Sequence, residues 1–123
     1  MQDQLTQKVI GCAIEVHKTL GPGLLESIYE VCLSIELTKA SLSHTRQQKL
    51  PITYKGQLLD LDFKADIIIA NTLILEVKSV QQLLPVHEAQ LLTYLKISDL
   101  HLGLLLNFNE AILKNGIRRH ALT

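Results

Sequence analysis

The chain has 123 residues, and its 12 Lys and Arg residues balance its 12 Asp and Glu residues, so the formal net charge is zero. This length suits a single domain spanning residues 1–123. The charge balance excludes a general nucleic-acid coat protein, which would have a strong basic excess. Hydrophobic residues make up 47% of the chain, too many for a disordered protein. The mean hydropathy of +0.21 indicates a nearly all-buried sheet or an apolar face used for self-association.

The sequence also indicates in which cellular compartment the protein is expected. Its apolar runs are far shorter than the roughly 20 residues of a membrane-spanning helix, and the N-terminus has no signal-peptide pattern. Cys12 and Cys32 lie in apolar helical stretches without a disulfide or zinc pattern, so we expect both to be buried. We therefore expect a cytoplasmic protein with no membrane partner.

Two helices are predicted at the start of the chain. Residues 4–19 have apolar positions at helical spacing, and the breaker Gly21-Pro22-Gly23 ends this run. Residues 24–40 form the second helix, in which we expect the acidic Glu30 to lie away from the apolar positions. Those positions recur near the helical period and are Leu25, Ile28, Cys32, Ile35 and Leu37.

The pattern then changes to the alternation of strands. Residues 46–54 predict a strand in which Pro51 indicates an edge position or a bulge. Residues 59–66 alternate strictly, and this strand continues through residues 67–69. After a turn at Asn71-Thr72, residues 73–80 form a third apolar strand.

The last third of the chain predicts a crossover. Pro85 precedes a helix over residues 86–98, a buried strand follows over residues 102–108, and residues 117–122 form a short edge strand. A strand, helix and strand in succession give a parallel pair with a right-handed crossover. The order α-α-β-β-β-α-β therefore predicts an α/β fold whose mixed sheet is flanked by helices.

Three charged residues interrupt the predicted strands. Glu76 and Lys78 share one face of an apolar strand, and Asp66 lies on the strand before it. Charges in a buried strand are costly unless they are paired or functional. Two converging carboxylates bind a hard divalent cation such as Mg²⁺, and a nearby lysine can assist an attacking water.

The hairpin register tests this metal-site hypothesis. Asp66 and Glu76 share a face only if the connecting loop has an odd number of residues, as when Ile69 lies opposite Leu73. A two-residue turn would instead place Asp66 opposite Val77 and separate the two carboxylates. The hypothesis predicts the odd loop.

Two helical pairs complete the set of candidate residues. Gln90 and Tyr94 lie four residues apart on one face of the helix that follows the Glu-x-Lys strand. Glu26 and Tyr29 lie three residues apart near the start of the second helix.

With these residues in place, the sequence resembles the GxxExxY family of the PD-(D/E)XK nuclease superfamily over nearly its whole length. Gly23, Glu26 and Tyr29 match the GxxExxY signature, and Lys64-Ala65-Asp66 and Glu76-Val77-Lys78 match the core motif. The stretches 84–95 and 103–108 extend the match. Ala65 replaces the proline of the motif, at a position that varies in the superfamily.

The resemblance implies a restriction-endonuclease-like fold and roles for the site residues. Asp66 and Glu76 are similar to the superfamily's metal-binding carboxylates, and Lys78 to its catalytic lysine. Glu26 is similar to the first-helix glutamate that completes the metal site. Mg²⁺ is then the expected cofactor, with Mn²⁺ as a substitute.

The resemblance also implies partners. Gln90 and Tyr94 are similar to a QxxxY pair that helps to position the site or the nucleic acid. The expected function is hydrolysis of phosphodiester bonds in nucleic acid, with DNA favoured over RNA, and a homodimer fits enzymes that cut both strands. The alternative is a non-catalytic module of the same fold that binds nucleic acid or protein.

Each candidate residue also has a plainer interpretation. Glu76 and Lys78 would form a solvent-facing ion pair if their strand were at an edge, and Asp66 would then be a surface residue near a turn. Glu26 would only complement the positive end of its helix. Gln90 and Tyr94 would be ordinary residues of an amphipathic helix. His87, on the face of Gln90, is interpreted as a cap or surface residue rather than a ligand.

Overall fold

Two consecutive helices pack together and form one layer of the fold. The computed structural model describes residues 2–122, with side chains from residue 4 onward. Helix α1 (Gln2–Leu20) and helix α2 (Glu26–Lys39) are joined by the predicted breaker. Gly21 and Gly23 have φ values of +71° and +98°, which side chains disfavour, so glycine is needed at both ends of this tight connection.

A five-stranded mixed sheet lies beneath these helices, in the order β1-β4-β5-β6-β7. Of the strand pairs described, β5 and β6 are parallel, and helix α3 (Pro85–Ser98) connects them, so the predicted parallel pair with a helical connection is confirmed. The edge strand β7 confirms the strand predicted for residues 117–122. The strands are β1 (His44–Lys49), β2 (Ile52–Tyr54), β3 (Gln57–Leu59), β4 (Lys64–Ile69), β5 (Leu73–Lys78), β6 (Leu102–Asn107) and β7 (Ile117–Ala121).

The sheet separates two apolar clusters. Alternate residues of β5 and β6, such as Leu75 and Leu104, face α1 and α2, where Leu33 and Phe108 complete the first cluster. The residues between them, such as Ile74 and Leu105, face α3 in the second cluster. Strands β4 to β6 are therefore almost entirely buried, as the high hydropathy predicted. Within residues 2–122, none of the helices has the length and apolar character needed to cross a membrane.

The prediction of a single strand over residues 46–54 is wrong, because the structure has two strands there. The predicted strand over residues 59–66 is also wrong in its first part, because β4 begins only at Lys64. The pairing of β1 with β4 stops at Lys49. Strands β2 and β3 form a separate two-stranded sheet. Pro51 has no backbone N–H to donate to a neighbouring strand, which explains the break. The alternating residues 60–63 have no partner strand, and the exposed Asp60 and Asp62 bind lysines instead.

The predicted apolar face of α2 is wrong in part, because Leu37 is the one member of that face that is fully buried. Glu30 is buried, with 5% of its surface exposed, whereas Leu25 and Ile35 are 72% and 50% exposed. The reason is tertiary, because α2 packs on the core through Tyr29 and Leu33 as well as through Leu37. Both cysteines are free and only half-buried, where full burial was expected.

We predict that Gly116→Ala destabilises the chain by about 2 kcal/mol, the usual scale for overpacking. A Cβ at Gly116 would lie 2.6 Å from the backbone oxygen of Asn107, which cannot move without disturbing the end of β6. Urea denaturation measures the loss. Gly11→Ala is the control: nothing lies within 4 Å of a Cβ there, so alanine in α1 should stabilise by about 0.5–1 kcal/mol. Equal stabilities for the two variants would contradict this packing.

Candidate active site

The register of β4 and β5 brings two carboxylates together. Ile69 pairs with Leu73 and Ile67 with Leu75, so Asp66 lies opposite Glu76. The loop between the strands therefore has three residues, with positive φ at Ala70 and Asn71. This is the odd loop that the metal-site hypothesis predicted.

The two carboxylates are held by each other's strands. The backbone N–H of Asp66 donates to Glu76 Oε2 at 3.1 Å, and the N–H of Val77 donates to Asp66 Oδ2 at 2.8 Å. In this reciprocal pair of hydrogen bonds, one oxygen of each carboxylate accepts a backbone N–H. Both side chains are therefore directed toward the same region by the sheet itself.

Burial makes the carboxylate pair electrostatically unusual. Glu76 is only 3% exposed, and burial, followed by the charge of Asp66, raises its pKa to about 8. Burial also raises the pKa of Asp66, although hydrogen bonds from Val77 and Gln47 oppose the shift. Since β5 is the central strand of the sheet, the interpretation of Glu76 as part of an exposed edge ion pair is wrong.

Lys78 is connected to the helix that follows it. Its Nζ donates to Gln90 Oε1 at 3.2 Å, and Gln90 Nε2 donates to the hydroxyl of Tyr94 at 3.4 Å. Burial, then the charges of Glu76 and Asp66, raises the pKa of Tyr94 to about 12. Tyr94 therefore keeps its proton at neutral pH, and its hydroxyl accepts the hydrogen bond from Gln90.

Glu26 reaches the same end of β5 from the N-terminus of α2. Glu26 Oε2 accepts a hydrogen bond from the N–H of Ser79 at 3.1 Å, and Ser79 Oγ donates to the Leu24 carbonyl at 2.6 Å. The charge of Glu26 is also a minor cause of the raised pKa of Asp66, after burial of that carboxyl. The structure therefore brings all six predicted residues to one region.

Tyr29 has a structural part in that region. Its hydroxyl donates to the Gly21 carbonyl at 2.6 Å and accepts from the Leu24 N–H at 3.1 Å. Its ring stacks on Phe108 with a centroid distance of 4.6 Å. The signature tyrosine thus fixes the loop that precedes Glu26, and it is fully buried.

The metal ligands implied by the resemblance do not form a compact triad. Among the side chains that the structure describes, no three His, Cys, Asp or Glu residues form a group able to hold a metal ion. Asp66 and Glu76 offer a pair of hard oxygen ligands, and the part of Glu26 stays a prediction. Such a pair suits Mg²⁺, which is often bound by one or two carboxylates together with water and phosphate oxygens.

A polar network beside Asp66 was missed by sequence reasoning. Glu30 Oε2 lies 3.0 Å from both Nε and Nη2 of Arg46. The amide nitrogen of Gln47 donates to Glu30 Oε1 at 2.7 Å and to Asp66 Oδ1 at 3.3 Å. One signal was available, because Glu30 follows Glu26 by four residues and so shares its helix face.

Two other residues have supporting parts. Asn107 is fully buried at the end of β6, where its amide exchanges hydrogen bonds with the N–H and carbonyl of Val80. These hydrogen bonds fix the chain just after Lys78. In the sequence, Asn107 was notable only as part of the stretch 103–108 that resembles the family. His87 Nδ1 accepts from the N–H of Leu84, which confirms the interpretation of His87 as a cap.

Comparison with known proteins agrees with this geometry. A family model described as PD-(D/E)XK nuclease superfamily matches residues 3–120. No curated protein and no solved structure matched the chain. The family match covers nearly the whole chain, and the three helices and mixed sheet form an α/β restriction-endonuclease-like fold. The chain belongs to the PD-(D/E)XK nuclease superfamily.

Proposed function

We propose that the chain is a Mg²⁺-dependent nuclease of the GxxExxY type that hydrolyses phosphodiester bonds. The observation that carries this proposal is the pairing of Asp66 and Glu76 across β4 and β5, with Lys78 two residues further along. A module that only binds has no need for a buried Glu76 and a partly buried Asp66 beside a lysine, because removing carboxylates from water costs free energy. The geometry therefore favours catalysis over the non-catalytic alternative.

The carboxylate pair fits a divalent cation. The carboxylate donors are hard oxygens, which Mg²⁺ prefers. Burial and the charge of Asp66 make ionisation of Glu76 unfavourable, and the positive charge of a bound cation would offset that free-energy cost. Mn²⁺ accepts the same oxygen ligands. When bound, Mg²⁺ polarises a phosphate oxygen and makes a coordinated water more acidic.

Lys78 has the next part in this proposal. Its ammonium is anchored by Gln90 on α3 and can orient the attacking water or stabilise charge that develops on the phosphate. Tyr94, protonated at neutral pH, supports Gln90 rather than accepting a proton. The roles of Gln90 and Tyr94 are therefore in positioning.

We predict that Asp66→Asn abolishes both Mn²⁺ binding and cleavage, whereas Lys78→Met keeps Mn²⁺ binding and lowers the cleavage rate by about 100-fold or more. Asparagine keeps the shape of Asp66 but removes the charge that attracts the cation. Calorimetry measures binding, and gel assays measure cleavage of DNA, the expected substrate, with RNA as the comparison. The control Lys96→Met changes an exposed lysine on α3 and should leave both unchanged. Nucleic-acid binding without cleavage, unaffected by Asp66→Asn, would favour the non-catalytic module.

We also predict a pH-dependent loss of stability in the metal-free chain that Glu76→Gln removes. The unfolded chain releases the Glu76 proton near the ordinary pKa of 4.5, whereas the folded chain holds it until about pH 8. Stability therefore falls as the pH rises from about 4.5 to about 8, by up to about 1.4 kcal/mol per unit, and then levels off. Urea denaturation in EDTA at several pH values measures this slope. Equal slopes for Glu76→Gln and the unmodified chain would contradict the prediction.

A homodimer is the second part of the proposal, and one surface supports it. Ile28, Val31 and Ile35 lie on one side of α2, Leu25 immediately precedes the helix, and all four are exposed; we call them the α2 apolar face. Exposed apolar patches of this kind mark interaction sites. The zero net charge of the chain does not oppose association of two copies.

We predict a dimer at micromolar concentration that Ile35→Glu weakens by about tenfold or more, because the variant places a charge within the α2 apolar face. Sedimentation velocity measures the association. The control is Ile112→Glu, at an isoleucine that is 63% exposed but lies outside α2. A monomeric unmodified chain, or equal weakening by both variants, would rule out this surface.

A further inference from the structure

Gln47 has an unusual backbone for a residue inside a strand. Its φ is +50°, although it lies in the middle of β1. Among residues 2–122, the other non-glycine residues with positive φ lie in turns, and they are Ser41, Lys55, Ala70, Asn71 and Asp99. A strained conformation persists only where surrounding contacts hold it, and such residues cluster at functional sites.

The contacts that hold Gln47 lead directly to the carboxylate pair. Arg46 pairs with Ile67 and Gln48 with Ala65, so Gln47 lies opposite Asp66 in the register. Its amide nitrogen has two hydrogens, and it donates to Glu30 Oε1 and to Asp66 Oδ1. Gln47, Asp66 and Glu76 therefore form a row across three neighbouring strands.

Glu30 anchors this arrangement from α2. It is buried, and Arg46 binds its other oxygen at 3.0 Å, so the carboxylate has a fixed position from which to accept the Gln47 amide. Asp66 is consequently held at both oxygens, by Val77 on Oδ2 and by Gln47 on Oδ1. Two such bonds restrict rotation of the Asp66 carboxylate about its Cβ–Cγ bond.

We propose that Gln47 is a positioning residue, which sets the orientation of the Asp66 carboxylate for the divalent cation while Glu30 and Arg46 hold Gln47 in place. This inference rests on the proposed metal-dependent function. Hydrogen bonds to metal-ligating carboxylates orient them, and loss of such a bond commonly weakens metal binding by 10–100-fold. The strain at Gln47 is then the cost of placing its amide between Glu30 and Asp66.

The experiment compares Gln47→Asn with Gln48→Asn. Asparagine tolerates positive φ better than most residues, but it is one methylene shorter and cannot span Glu30 and Asp66. Gln48 is the matched control, because it is the exposed neighbour and its Oε1 accepts only the Thr45 hydroxyl among the bonds described. Calorimetry with Mn²⁺ gives the affinity, and thermal unfolding reports the stability of each variant.

We expect Gln47→Asn to stay folded and to bind Mn²⁺ at least tenfold more weakly, with Gln48→Asn unchanged. Gln47→Gly is the second variant, since it removes both the amide and the backbone strain. Both variants lose the hydrogen bond to Glu30, but glycine carries no strain at positive φ, so Gln47→Gly should unfold at a higher temperature than Gln47→Asn and still bind Mn²⁺ weakly. A merely structural role would make affinity follow the unfolding temperature across the variants, and that result would overturn the proposal.

The remaining outcomes separate this inference from the function on which it rests. If Asp66→Asn abolishes Mn²⁺ binding while both Gln47 variants bind normally, the role of Gln47 is overturned and the metal site stands. If the unmodified chain binds no Mn²⁺, the proposed function fails and the role of Gln47 fails with it.

Discussion

Two acidic side chains lie opposite each other on adjacent inner strands, and each accepts a hydrogen bond from the backbone of the other's strand. This reciprocal contact between Asp66 and Glu76 requires one register of β4 and β5. The other parts of the site assemble around it. The start of α2 docks on Ser79 at the end of β5, and α3 contacts Lys78 through Gln90.

Much of the site could be predicted because it depends on local periodicity. Strand alternation places Glu76 and Lys78 on one face, loop parity decides whether Asp66 joins them, and helical spacing aligns Gln90 with Tyr94. The same rules failed for α2 and for residues 46–63. The burial of Glu30 and the separate β2–β3 sheet depend on which elements are available as neighbours, and a single element's sequence pattern does not contain that information.

Rules of local periodicity could not predict the hydrogen-bond network at Glu30, for a physical reason. Gln47 contacts Glu30 and Asp66 at sequence separations of 17 and 19 residues, and it does so from a backbone conformation that no propensity predicts for glutamine. Buried carboxylates and a strained residue both reduce stability, and they are concentrated in one region. The apolar strands β4 to β6 and the packing of Tyr29 on Phe108 offset that cost.

The loop of residues 70–72 has a consequence for how the chain tolerates insertions and deletions. Exposed hairpin turns are usually the places where the length of a protein can change without harm. Here, adding or removing a single residue would move Asp66 to the other side of β4 relative to Glu76. The site would be lost although no site residue had changed. A surface turn with an ordinary sequence is therefore among the parts of this chain where length is most strictly constrained.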